Sequence, residues 1–171
     1  MEKLHICWQQ PIPILYLFAS REDLADAVKV QGIGRFRDRY LLDQKGLYVV
    51  YHWSRQNRIV FDIGKTYSQT FERRLKQHLY KDTYLDVILD SHGSDVVIDT
   101  MVKVGILKDK ASQRRIADIE NLLIYCHPSS FNRQSTKSFQ RNKAFKLINS
   151  GEFFPPFAPA YDSESILGYS S

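Results

Sequence analysis

Cysteine is scarce in this chain, long apolar runs are missing, and one extended stretch holds no acidic residue. Among 171 residues there are only two cysteines, Cys7 and Cys126. They lie far apart and match no metal-ligand spacing, which excludes a disulfide scaffold or a thiolate metal centre as the organising principle. Nothing resembling the charged, apolar and cleavage regions of a secretory signal is present, so a reduced, cytoplasmic (intracellular) protein is expected. The longest apolar runs, residues 11–19 and 119–126, are interrupted by proline or charge. A spanning helix needs about 20 apolar residues, so no membrane span is expected.

What the chain does have is core-forming material: 43% hydrophobic and 13% aromatic residues at single-domain length. That suffices for a packed interior and excludes global disorder. The net charge is +5, from 24 basic against 19 acidic residues. Between residues 121 and 151 no acidic residue occurs, while Arg133, Lys137, Arg141, Lys143 and Lys146 add five positive charges. Without them the remainder balances at 19 against 19, so the whole excess resides there. A phosphate backbone is attracted to such a patch in a salt-dependent way, whereas a solvated helix face is the plainer alternative.

No internal repeat or long low-complexity tract is found. Glu22, Leu24 and Val28 sit at roughly helical spacing over residues 21–30, ahead of Gly32-Ile33-Gly34. No strand feeds that glycine pair and no third glycine follows, so it reads as a turn and not as a dinucleotide loop. From Gly46 the pattern sharpens. Residues 47–53 are aromatic and β-branched, 54–58 polar and 59–63 apolar, which predicts a β-hairpin. A turn near Arg55 or Gln56 sets Tyr48 and Asp62 roughly opposite each other. Thr66 with Gln69 forms a plausible capping box, and Phe71, Leu75 and Leu79 give a helical stripe beside Arg73, Arg74 and His78. Arg74 and His78, four apart, share one helix face.

Residues 82–107 hold two apolar runs, at least one of them a third strand. A helix over residues 112–126 buries Ile116, Ile119, Leu122, Leu123 and Cys126, with Glu120 on its apolar side. A carboxylate there is costly unless it is paired or holds a metal. Residues 136–148 predict a basic helix, and the Phe-Pro-rich tail from Glu152 is expected either to wrap over the domain or to meet a partner subunit. The expected division is an N-terminal extension (1–45), a core (46–150) and a C-terminal tail (151–171).

These residues resemble the GIY-YIG nucleases. The features that carry the likeness are Gly46-Leu47-Tyr48, then Asp62-Ile63-Gly64-Lys65-Thr66, Arg74-Leu75 with His78, Glu120, and Asn132 beyond it. The resemblance implies an α+β fold, a small three-stranded antiparallel sheet flanked by helices, here with extensions at both ends. It implies endonuclease action on DNA phosphodiesters, restriction-like or from a mobile element, with one Mg²⁺ or Mn²⁺ per site. In that chemistry Tyr48 is the candidate general base and Lys65 a cation that would lower its pKa. Arg74 offers a guanidinium fork for the scissile phosphate. His78 would hydrogen-bond phosphate or shuttle a proton, Glu120 would ligate the metal, and Asn132 would orient the loop or hydrogen-bond near the metal and Tyr48. Arg73, Arg133, Lys137, Arg141, Lys143 and Lys146 are the candidate DNA contacts. Asp62 stands where the family carries a tyrosine, so either Asp62 accepts a proton, or Lys65 substitutes, or the chain is a silent nucleic-acid-binding module on the same fold. Double-strand cutting from one site per chain suggests a homodimer.

Overall fold

Buried and more exposed residues alternate over 2–8 and 145–151, the period of a strand with one face covered, while 46–52, 61–64 and 102–105 are continuously buried, as in strands covered on both faces. The computed structural model describes residues 1–14, 46–71, 73–75, 77, 84–108, 111–129, 131–132, 137–139, 141–153 and 156–168. The expected helix over 21–30, the turn at Gly32-Ile33-Gly34, His78 and Arg133 lie outside those residues.

Seven strands form one mixed, curled sheet resembling a half-barrel. They are β1 (Glu2–Trp8), β2 (Ile12–Pro13), β3 (Gly46–Trp53), β4 (Arg58–Thr66), β5 (Met101–Leu107), β6 (Phe145–Gly151) and β7 (Ala160–Asp162). Four described helices accompany them: α1 (Tyr84–His92), α2 (Ser94–Ile98), α3 (Gln113–Cys126) and α4 (Ser163–Gly168). The strand order is β4-β3-β5-β1-β6-β7, with β2 also pairing β5. Both β1 and β2 run antiparallel to β5. They act as one strand interrupted around Pro11, which has no N–H to give to a ladder.

This architecture overturns the expected small three-stranded antiparallel sheet flanked by helices. Antiparallel β4, β3 and β5 are there, but they make up one side of a larger sheet. β1 and β6 continue it and pair with each other in parallel, from Glu2 with Phe145 to Trp8 with Gly151. The basic helix expected over 136–148 is also replaced. Phe145, Leu147 and Asn149 are buried while Lys146, Ile148 and Ser150 are half-exposed, so the segment reads as a strand. The lysines suggested a helix face, whereas the burial of every second residue decides for β6.

Each face of the sheet has its own core. Leu4, Ile6, Trp8, Leu47, Val49, Ile63 and Leu147 pack under Ile116, Ile119, Leu122 and Leu123 of α3. On the opposite face Tyr48, Val50, Phe61, Val102 and Val104 pack with Phe71, Leu75, Ile88 and Val96. Ser112 caps α3 by accepting from the Arg115 N–H at 3.2 Å. The Thr66–Gln69 capping box is not formed. Thr66 closes β4, its Oγ1 accepting from Gly46 N at 3.0 Å, and Thr70 caps the following helical residues through Arg73 N.

The tail wraps over the domain. Phe157 is buried with its ring 4.5 Å from that of Trp8, and Asn149 accepts from Trp8 Nε1 at 2.8 Å and donates to Ala158 O at 2.6 Å. His127 lies between Phe157 and Tyr161, its Nε2 2.6 Å from the Tyr161 hydroxyl, which also accepts from Ala158 N at 2.8 Å. Burial pulls the His127 pKa down to about 4. A folded-state value below the unfolded one of about 6.5 means the fold favours neutral imidazole. Stability is full above about pH 6.5 and is lost as pH falls towards 4, by about 3 kcal/mol at most. His127→Gln should therefore flatten the pH dependence of Tm between pH 6.5 and 4. A variant whose Tm falls as steeply as the parent's would refute this assignment.

Candidate active site

The hairpin β3–β4 sets the first part of the site. Its register pairs Tyr48 with Gly64 and Val50 with Asp62, so Tyr48 and Asp62 are diagonal neighbours on one face, not directly opposed. Diagonal positions remain within reach of an aromatic side chain. The Tyr48 hydroxyl donates to Asp62 Oδ2 at 3.2 Å. Gly64 makes this possible: a Cβ there would stand 2.3 Å from both the Tyr48 hydroxyl and the ring carbon that bears it. The ring thus lies flat over a residue with no side chain. Gly46 is constrained in a similar way, with φ +154 and a position where a Cβ would meet Gly105 O at 2.2 Å.

β4 is the edge of the sheet, and Asn132 occupies that edge. Its side-chain amide copies a strand neighbour. Oδ1 accepts from Ile63 N at 2.9 Å, and Nδ2 donates to Ile63 O at 2.9 Å and to Asp62 Oδ1 at 2.8 Å. Phe131 N, donating to Phe61 O at 3.1 Å, extends the same ladder. Asp62 is thereby held from both sides, by Tyr48 on one oxygen and Asn132 on the other.

Lys65 follows Gly64 and projects to the α3 side, in register with Leu47 of that core. There it forms an ion pair with Glu120 Oε2, so it is a partner of the carboxylate and not of the phenol. The Glu120 side chain is 14% exposed. Burial raises its pKa, the contact and charge of Lys65 oppose that rise, Asp62 adds to it, and Arg74 opposes it. Tyr48 is pushed well above its ordinary value, first by burial, then by the charge of Asp62; Arg74 pulls the other way and Glu120 adds to the rise. The protein's own groups therefore keep the phenol protonated. Asp62 and Arg74 thus act electrostatically on both Tyr48 and Glu120.

Arg74 sits on the helical residues opened by Thr70, its N–H bonded to Thr70 O at 3.0 Å. Its Nε is buried with no hydrogen-bond partner. Such a group is costly to leave unpaired and is uncommon in folded proteins. Arg73 is exposed.

Arg141 donates to Ser163 O at 2.9 Å, a contact that ties down α4. Lys137 and Lys143 are exposed, and Lys146 lies on β6. Sequence reasoning missed Asp118, buried and bonded to Arg115 and to Asn142, which together fasten α3 to the start of β6. It also missed Lys103, buried in the sheet with its ammonium over the Tyr51 ring and its pKa lowered to about 8 by burial. A lone Asp or Lys inside an apolar pattern was the only available signal for either. Comparison of the chain with protein-family models, with curated proteins and with solved structures returns no match.

Proposed function

We propose that the chain is a metal-dependent endonuclease acting on DNA, with its reaction centre at the edge of β4. What supports this reading is the phenol–carboxylate pair Tyr48–Asp62, an arginine with an unpartnered buried Nε, and the half-buried Glu120, on whose carboxyl both Asp62 and Arg74 act electrostatically. Hydrolysis of a phosphodiester requires a proton acceptor for water, neutralisation of charge on phosphorus oxygens, and stabilisation of the leaving oxygen.

Arg74 binds the scissile phosphate, satisfying Nε and bringing a permanent positive charge. Tyr48 acts as a relay: its oxygen takes the proton of the attacking water as its own proton passes to Asp62 Oδ2. A base of this kind needs no free tyrosinate, which agrees with the raised phenol pKa. Asn132 positions Asp62 by its bond to Oδ1. Among the described residues no group of three or more His, Cys, Asp or Glu could hold a metal together. Mg²⁺ commonly accepts one or two protein carboxylates and keeps its remaining waters, so Glu120 fits as its one direct ligand. When bound, such an ion supplies Lewis-acid charge stabilisation. With an ion on Glu120, Lys65 would be free to turn towards the leaving oxygen.

Both cysteines are free, in keeping with a reducing cytoplasmic setting. No described helix is long and apolar enough to cross a membrane. The test is incubation of the full chain with supercoiled plasmids and with Mg²⁺ or Mn²⁺. Nicked or linear product is expected from the parent, with Arg74→Ala at least a hundredfold slower. Intact plasmid across many sequences and both metals would sink the nuclease reading. Salt-sensitive binding without cleavage would favour the silent module suggested by Asp62.

A further inference from the structure

The nuclease reading leaves open how substrate crosses the protein beyond the scissile phosphate. We infer that the nucleic-acid backbone runs from the Tyr48–Arg74 corner across the same face and end of the sheet, over Lys108, Lys3 and Lys146. This inference rests on that reading and adds a phosphate track to it.

Register places the three lysines. Leu4, Ile6 and Trp8 belong to the α3-side core, so Lys3 and His5 project to the other face. That is the face of Tyr48, Val50 and Val104. Lys3 is in register with Lys146 on the parallel neighbour β6, and Lys146 alternates with buried Leu147, so both lysines stand on this face. Ile6 pairs with Leu107, and one step on Lys108 N donates to His5 O at 3.0 Å, which sets Lys108 beside His5. The end is shared as well: Leu47 pairs with Gly105, two residues before Leu107.

In-register like charges on adjacent strands are unfavourable. Among the described residues no carboxylate lies in ion-pair contact with Lys3, Lys108 or Lys146. Asp162 is in register with Lys146, but its Oδ1 already accepts from Glu164 N and Ser165 N. Glu2, at the same end, pairs with Arg115 and thus serves the opposite face. Side chains on neighbouring strands stand side by side and do not converge, which suits a line of phosphates better than one small anion. From β3 through β5 and β1 to β6 there are three inter-strand steps of about 4.8 Å, roughly 14 Å in all. At about 3.4 Å of axis per nucleotide, that is roughly four nucleotides to one side of the cut.

The test measures binding of a 20-base-pair duplex by fluorescence anisotropy across salt concentrations, using the full chain, a Lys3→Ala/Lys146→Ala variant and a Lys108→Ala variant. Each lost phosphate contact should reduce the slope of log K against log salt by about 0.9, so the double variant should fall by about 2 and the single one by about 1. Arg55→Ala/Arg58→Ala, the same change in charge at the β3–β4 turn and so at the other end of those strands, should leave the slope near the parent's. Slopes unchanged in both track variants, with the parent still cutting, overturn the track and leave the nuclease reading standing. Reduced slopes with a parent that never cuts uphold the track and overturn the nuclease reading. Because Lys108 lies beyond the end of β5, its variant keeps the test valid if the double variant fails to fold.

Discussion

Glu120→Gln is expected to slow metal-supported cleavage by roughly two to three orders of magnitude while leaving the protein as stable as before or slightly more so. The two effects separate because of where the carboxylate lies. Burial is the largest influence on its pKa and the net direction is upward despite Lys65. A folded-state value above the unfolded one means that the charged form costs stability at neutral pH, a cost relieved as pH falls. Glutamine keeps the shape and removes the charge, so that cost goes with it. Lys65, 32% exposed, can turn to solvent when its partner becomes neutral. The parent's Tm should rise with Mg²⁺ by mass action and the variant's should not. Cleavage at the parent's rate, or an equal rise in Tm with Mg²⁺, would remove Glu120 from the metal site.

Gly64→Ala should be a strongly disruptive single-methyl change. The new Cβ would need to sit 2.3 Å from the Tyr48 hydroxyl and 2.7 Å from another ring atom, and Tyr48 is only 1% exposed. The ring cannot swing outwards, because it is packed with Val50, Phe61, Phe71 and Val104. Overpacking of this kind costs about 3 kcal/mol. For a chain of this length that lowers Tm by roughly 6–12 °C. Activity should fall as well, because the phenol would lose its bond to Asp62. Repeating Gly64→Ala in a Tyr48→Leu background should recover most of the lost stability, since the two residues share one contact. Additive losses would show that the glycine is needed for some other reason.

The candidate site was far more legible than the fold, and the difference lies in sequence distance. Tyr48, Asp62 and Gly64 belong to one hairpin, whose strands and turn are written in consecutive residues: apolar 47–53, polar 54–58, apolar 59–63. α3 announces itself by Ser112 at its cap and a 3.6-residue stripe ending near Cys126. The sheet's middle carries no such signal. Glu2 pairs with Phe145 across almost the whole chain, and no local pattern says which distant strand a segment will meet. Within β6 itself the sequence Phe145-Lys146-Leu147-Ile148 is short enough to suit either period, and the cations around it favoured the wrong one. The task of Asn132 as a substitute strand for Ile63 depends on β4 being an edge of the described sheet, which only the assembled sheet reveals.

The parallel seam between β1 and β6 has a consequence for synthesis on the ribosome. β1 must wait for residues 145–151 before it gains its parallel neighbour. The β3–β4–β5 half, complete by Leu107, can form earlier. Until the seam closes, one edge of β1 stays open to pairing with another nascent chain, and that interval is where misassembly would begin.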